Sequence, residues 1–234
     1  MKKRNINNIG MDKEKIYIVI PAYNEAIVLG GVIDEIKKNG FHNIIVVDDG
    51  STDNTSHVLK NKAIIYVRHS LNRGKGASIK TGFEACKLLG ANSIVTFDGD
   101  GQHDPIDIQP MIQLIQKGFD VVMGSRNYQE KHMPRYKAVG NSIGNFITWL
   151  IYGLWVSDSQ FGLRAYSQKA IDNIHLTSDR YEFDSEIIRE IARHGLKHCE
   201  MTAHVRYTEY AKKKKNKQSV IGAMKMVFRM LLTG

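Results

Sequence analysis

Ser93-Ile-Val-Thr-Phe-Asp98-Gly-Asp100-Gly-Gln102-His103-Asp104 joins a short apolar, β-rich run to a cluster of oxygen-bearing side chains. Such a run reads as a buried parallel strand. Its carboxyl end would deliver Asp98 and Asp100 to a site, because open α/β sheets bind ligands outside the carboxyl ends of their strands. Two aspartates with flexible glycines between them suit a hard divalent cation, magnesium or manganese. Such an ion takes one or two carboxylates and leaves its other positions to water and phosphate oxygens. The competing reading is an acidic surface turn, since Asp-Gly pairs are turn formers.

Outward from this stretch the same pattern recurs. Lys15-Ile-Tyr-Ile-Val-Ile20 is a β-branched strand, and Pro21-Ala-Tyr23-Asn24-Glu25 reads as the turn opening a helix over about Glu25 to Asn39. That helix carries Val28, Leu29, Val32, Ile33 and Ile36 on one face and closes at Gly40. Asn43 to Val47 is a second strand, ending in Asp48-Asp49-Gly-Ser-Thr-Asp53, and Ala63 to Val67 a third, leading to Asn72-Arg73-Gly74-Lys75-Gly76 and a helix to Leu89. The strand bearing Asp98 is the fourth, and Phe119 to Met123 the fifth, ending in Gly124-Ser125-Arg126. Strand and helix alternating at these spacings predict a doubly wound α/β sheet. Every polar cluster falls at a strand's carboxyl end, and that convergence favours a binding site over a set of turns. Around Lys75 neither the dinucleotide fingerprint nor the P-loop spacing is met. What remains is a glycine-rich helix start whose amides, with Lys75 or Arg73, are available to an anion, or a plain basic helix start.

Past Arg126 the character changes. Asn127 to Lys137 is a basic loop with Lys131, Arg135 and Lys137. Tyr136 to Val156 then holds Ile143, Phe146, Ile147, Leu150, Ile151, Leu154 and Trp155 at helical spacing, as an amphipathic helix of the core or of a membrane interface. Its nearly uncharged part, Asn141 to Val156, would reach only about 24 Å as a helix, too short to span a bilayer. Ser157 to Tyr166 reads as a polar loop returning to the sheet, followed by a helix capped by Ser167. Arg180 to Glu186 opens a further helix, whose early acids Asp184 and Glu186 read as complements to the helix dipole. Leu196 to Tyr207 is a late strand. Lys212 to Lys215 and Lys217 read as a solvated loop, and Ser219 to Leu232 as an amphipathic helix with Lys225 and Arg229 on one face, suited to a membrane surface or to docking on the core.

Composition bounds the rest. At 42% hydrophobic and 24% charged, 234 residues can bury one full core. The expected division is a flexible basic tail over 1–14, one domain over 15–210, and a basic loop with a closing helix over 211–234. A net charge of +9 attracts anions, whether nucleic acid, acidic lipid or phosphorylated substrate, without choosing among them. Cys86 and Cys199 lie far apart and imply neither a disulfide framework nor a zinc site, which fits a reducing cytoplasm. The amino terminus lacks the apolar segment of a secretory signal.

The segments Val19-Ile-Pro-Ala-Tyr-Asn-Glu25, Val47-Asp-Asp-Gly-Ser-Thr-Asp53, Asn72-Arg-Gly-Lys-Gly-Ala77, Asp98-Gly-Asp-Gly-Gln-His103, Gly124-Ser-Arg126 and Asp158-Ser-Gln-Phe-Gly-Leu-Arg-Ala-Tyr166 together resemble a known family. It is that of the dolichyl-phosphate mannose synthase-like, family 2 glycosyltransferases of GT-A fold, matched over about residues 15 to 210. The resemblance implies that Pro21, Tyr23 and Glu25, with Asp48 and Asp49, contact a nucleotide. It implies that Asp98, Asp100 and Gln102 hold the sugar and a metal, Mg2+ or Mn2+, at the diphosphate. Arg126 and basic residues of the following loop, Arg135 or Lys137, would bind an acceptor phosphate, with Arg164 a second candidate; Lys75 is assigned to the donor. Phe161 stands where the family has Ser or Thr, and Leu163 where it has Phe.

The expected reaction is inverting transfer of a hexose from a nucleoside diphosphate sugar, of GDP-mannose or UDP-glucose type, to a polyprenyl phosphate, dolichyl or undecaprenyl. It would occur peripherally on the cytoplasmic, inner face of a membrane, with a separate anchoring subunit as a partner. Asp98, Asp100, Arg126 and Asp158 are the expected catalytic residues. Asp158 is kept as base for the rival reading, a soluble or glycan hydroxyl acceptor. A nucleic-acid-binding module is the rival of another class, which the sheet-edge acids do not support.

Overall fold

The computed structural model describes residues 15–126, 149–150, 152–180, 182–208 and 210. The expected basic tail over 1–14, Arg135 and Lys137, most of the 136–156 helix and the 211–234 segment lie outside the described residues.

Strands β1 (Ile16–Ala22), β2 (Ile44–Asp48), β3 (Ile65–Arg68), β4 (Ser93–Thr96), β5 (Val121–Arg126), β6 (Arg164–Ser167) and β7 (His198–Ala203) form one sheet in the order β3-β2-β1-β4-β6-β5-β7. All its strands run parallel except β6, which lies antiparallel between β4 and β5. Helices α1 (Leu29–Lys38), α2 (Thr55–Leu59), α3 (Lys75–Leu88), α4 (Ile108–Gln116), α5 (Gln168–Asn173) and α6 (Phe183–Arg193) cover its two faces.

The two-residue period of a strand sends alternate side chains to opposite faces. Ile18 and Ile20 of β1 therefore pack with Leu29, Ile33 and Ile36 of α1 and with Met111 and Ile112 of α4. Val19, between them, packs with Ile79 and Phe83 of α3 and with Ile187 and Ile191 of α6. Burial on both faces is what the near-continuous apolar runs of β1, β2 and β4 required.

Several local expectations are corrected. Pro21 is inside β1, in register with Val47, rather than in the turn beyond it. A proline is tolerated there because β4 pairs with β1 only as far as Val19↔Thr96, so the sheet is already open on that side. The first helix starts at Leu29 instead of Glu25, since 26–28 form a turn. Arg164–Ser167 is a strand, not part of a loop. Its polar sequence hides a two-residue alternation in which Ala165 joins the α1/α4 core and Tyr166 the α3/α6 core. The late strand is shorter than Leu196 to Tyr207. The Ser167 cap is as expected, its hydroxyl accepting from the Ala170 amide at 3.3 Å.

From β1 the chain winds outward to β3, then returns to β4 on the other side of β1. Beside β1, where the strand order reverses, an α/β sheet opens a crevice at its carboxyl edge. There β1 runs on to Ala22 while β4 leaves the sheet after Thr96, which turns Asp98 into the gap. Close packing of α3 on β1 supports this edge: a Cβ on Gly82 would collide with Cγ1 of fully buried Val19. Alanine gains about 1 kcal/mol over glycine in a helix, yet overpacking a rigid β-branched neighbour costs about 1–3 kcal/mol. Gly82→Ala is therefore expected to lower unfolding stability in urea, by about 1 kcal/mol, instead of raising it.

Candidate active site

Five loops meet at the crevice, and two of them are locked together by polar side chains lying between the expected nucleotide ligands in sequence. Asn24, in the left-handed conformation at φ 56°, accepts from the Thr52 and Asp53 amides through Oδ1 and donates its own amide to the Ser51 hydroxyl. Asp53 in turn accepts from the amides of Ala26 and Thr55 and from the Thr55 hydroxyl. Burial would raise its carboxyl; these hydrogen bonds outweigh burial and lower it. The loops after β1 and β2 are one unit as a result, with Glu25 buried beneath it and Tyr23 at the surface.

Asp48 and Asp49 are engaged within the protein. Asp48, with a fully buried side chain, accepts from the Ser51 amide at 2.8 Å and the Tyr66 hydroxyl at 2.7 Å, with Arg68 Nε 3.6 Å away. Asp49 accepts from the Arg73 and Gly74 amides at 3.0 and 2.7 Å and pairs with His69 Nδ1 at 2.8 Å. Because a carboxylate only accepts, Nδ1 carries a proton, and Nε2 is hydrogen-bonded to the Thr81 hydroxyl at 2.9 Å. Asp49 thereby holds the 69–74 loop against the sheet, while Asp48 ties the turn at Ser51 to Tyr66 of β3.

Asp98 occupies the centre. Lys75 Nζ, from the first turn of α3, is 2.5 Å from Oδ1, and His103 Nε2 is 3.2 Å from Oδ2. Burial alone would raise the Asp98 carboxyl, but Lys75 and then His103 hold it well below the usual carboxylate range. Lys75 is itself kept protonated: burial opposes its charge, and Asp98 and Asp184 overcome that. The His103 ring stands edge-on to Phe97 and Phe161, which fixes its plane. Gly162 closes the back of the site. A Cβ there would run into the Asp98 carboxylate and Lys75 Nζ, so only glycine lets that chain pass while Thr96 Oγ1 donates to the Gly162 carbonyl at 2.7 Å.

Asp100 differs from Asp98. Its carboxylate accepts from the Gln102 amide at 3.0 Å, and its affinity for a proton is raised, first by burial and then by the charge of Asp98. A partly buried acid beside a second one favours added positive charge, and Asp100 and Gln102 supply the oxygen donors a hard cation takes. Among the described residues no group of three or more His, Cys, Asp or Glu is placed to enclose a metal. The donor set fits a cation completed by substrate phosphates instead of a closed protein cage.

Across the cleft, Arg126 at the end of β5 grips Asp158 in a fork, Nε to Oδ2 at 2.6 Å and a terminal nitrogen to Oδ1 at 2.8 Å, and its guanidinium lies 5.7 Å from the Phe161 ring centre. Arg164 is corrected. Its guanidinium is 2% exposed, bound to the Ser159 carbonyl at 2.5 Å and to Asp184 at 2.7 Å, so it braces the protein and does not face an acceptor. The same pair shows that Asp184 does more than complement a helix dipole. It belongs to a row of charges that runs from buried Arg164 and Asp184 to half-buried Lys75 and Asp98. Sequence reading missed the roles of His103, Gly162, Tyr66 and Asp184; adjacency to motif residues was the one signal for the first two.

Comparison with known proteins agrees with this geometry. The family model described as glycosyl transferase family 2 matches residues 17–175. An uncharacterized protein of Methanocaldococcus jannaschii is 41% identical, covering 99% of this chain and 97% of that protein. A UDP-N-acetylglucosamine–dolichyl-phosphate N-acetylglucosaminyltransferase of Methanococcus voltae is 37% identical, covering 95% and 97%. Among solved structures, glucosyl-3-phosphoglycerate synthase from Mycobacterium tuberculosis, in complex with Mn2+, UDP and glucosyl-3-phosphoglycerate, superposes with a TM-score of 0.70 at 18% identity, covering 93% of this chain and 78% of that one. At that identity the likeness shows the fold, a GT-A architecture.

Tyr66 gives the site a pH signature. Burial, then its hydrogen bond to Asp48 and that carboxylate's charge, push the phenol from 10.0 up to about 12. A folded-state value above the unfolded one adds stability that is full below the unfolded value and is lost as pH rises through the folded value. Urea midpoints are expected to fall between pH 10 and 12 in the natural protein, and to fall less over that range in Tyr66→Phe.

Proposed function

The chain belongs to glycosyl transferase family 2, and we propose that it moves a hexose from a nucleoside diphosphate sugar to a polyprenyl monophosphate, with inversion at the anomeric carbon. The observation that carries this reading is the meeting of Asp98, Asp100 and Lys75 in the crevice beside β1. The Methanococcus voltae relative, which aligns over nearly the whole chain, supports the lipid phosphate as acceptor, and its name makes UDP-N-acetylglucosamine the first donor to test.

In this reading the nucleoside lies along Pro21, Tyr23 and Glu25, on the loop unit that Asn24 and Asp53 hold rigid. Asp49 serves it by fixing the 69–74 loop, and Asp48 by tying the turn at Ser51 to Tyr66 of β3. Asp98, kept anionic by Lys75 and His103, accepts hydrogen bonds from the sugar hydroxyls. Asp100 and Gln102 hold a divalent cation, Mg2+ or Mn2+, which when bound supplies Lewis-acid stabilisation of the departing diphosphate. The Mn2+ of the mycobacterial synthase complex supports that assignment.

A phosphate acceptor is largely ionised near neutrality and needs positioning more than deprotonation. Arg126 offers its planar guanidinium for that purpose, with Arg135 or Lys137 from the loop that follows. Asp158 has both oxygens engaged by Arg126, which weighs against a base for a hydroxyl acceptor and so favours the phosphate. Exposed Trp149 and Trp155, edge to face at 6.4 Å, support contact with the membrane surface that presents the lipid, on its cytoplasmic face.

Incubating the protein and Mn2+ with UDP-N-acetylglucosamine, UDP-glucose or GDP-mannose should yield a glycolipid with polyprenyl phosphate and no product with free sugars. Asp98→Asn and Asp100→Asn are each expected to reduce transfer by about a hundredfold or more, the scale for removing a preorganised electrostatic group. Undiminished transfer in both variants would sink the assignment.

A further inference from the structure

After β7 the chain turns back across the carboxyl edge of the sheet and fastens itself to the site loops. His204 donates its amide to Asp107 Oδ2 at 2.7 Å, and its ring Nδ1 lies 2.7 Å from Asp107 Oδ1. Val205 forms an antiparallel bridge with His103. Arg206 donates its amide to the Gln102 carbonyl at 2.8 Å, Nε to Asp104 at 3.1 Å and a terminal nitrogen to Glu35 of α1 at 2.5 Å. Tyr210 then donates its hydroxyl to Glu25 Oε2 at 2.9 Å, with the Asn24 carbonyl at 3.3 Å. Its phenol is held protonated, first by burial and then by that bond, and the charges of Asp53 and Asp100 add to the effect. Tyr210 is thus fastened to the loop of Asn24 and Glu25.

We propose that residues 204–208 with Tyr210 are a strap belonging to the donor site, in which Arg206 positions the acidic loop carrying Asp100 and Gln102 while Tyr210 positions Glu25. This rests on the donor reading above. The acidic loop carries Gly99 and Gly101, the latter at φ 76°, and needs an external brace to hold one geometry. Arg206 supplies it at two carboxylates and one carbonyl. These ion pairs are between a quarter and a half exposed, and such pairs add little to global stability. Their effect falls on where the loop sits. The strap therefore touches the two halves of one ligand separately: cation and diphosphate through Arg206, nucleoside through Tyr210.

The test uses the full chain, with UDP and GDP as probes, titrated calorimetrically with and without Mn2+, alongside hydrogen exchange of the ligand-free protein. Arg206→Ala is expected to speed amide exchange across 98–107 and to remove about tenfold of the affinity that Mn2+ adds, leaving metal-free nucleotide binding unchanged. Arg206→Lys, which keeps the charge and loses the fork, should recover part of it. Tyr210→Phe is expected to weaken nucleotide binding by about tenfold with and without Mn2+, leaving exchange over 98–107 unchanged. Equal weakening of both kinds of binding by both variants, or none by either, overturns the strap's role and leaves the donor reading standing. A natural protein that binds neither nucleotide overturns the donor reading and the strap with it.

Discussion

Lys75 sits between Asp98 and Asp184, and most of the site's arrangement follows from that one placement. A carboxylate removed from water must be paired, since breaking such a pair leaves an uncompensated charge at a cost of about 3–5 kcal/mol. Lys75 reaches Asp98 from the start of α3, so α3 must begin where β4 ends. Asp184 acts on the same cation through its charge while holding Arg164 of β6. The chain at Gly162 must pass without a side chain. Two helices, two strands and a loop thus share one electrostatic requirement, and the aspartate in their midst stays anionic in a half-buried setting.

The half formed by the loops after β1 and β2 is built differently. Backbone amides, more than ion pairs, lie at its centre. Asn24, Asp48, Asp49 and Asp53 each accept from neighbouring amides, so the acids that look like ligands in the sequence are largely spent on loop shape. A rigid loop unit leaves its exposed members, Tyr23 above all, as the surface open to a ligand.

The alternating strand and helix pattern was legible because short β-branched apolar runs bounded by turn residues mark buried strands, and the sheet edge followed from the carboxyl-end rule. The placement of Asp98 and Asp100 at that edge was legible for the same reason. Arg164 was not. Nothing in Arg-Ala-Tyr-Ser distinguishes a polar loop from a strand buried on both faces, and the partner that neutralises its guanidinium lies in another helix, twenty residues on. Asp184 was misread for the matching reason: a first-turn acid fits the dipole rule whether or not a buried arginine awaits it. Tyr210 and Arg206 belong to contacts spanning most of the chain, which no local pattern encodes.

The antiparallel insertion of β6 bears on the order in which the molecule can be made. Strand β5 touches β4 nowhere in the sheet; β6, which arrives only after the stretch 127–163, is the piece that joins them. During synthesis β1 to β4 can pair among themselves as they emerge, whereas Arg126 acquires its place opposite Asp98 only once β6 has been threaded between. Closing that long excursion is slow relative to forming the local βαβ units. Assembly of the nascent chain therefore runs from the β1–β4 side of the sheet toward the β5–β7 side, and the two sides of the cleft mature at different times.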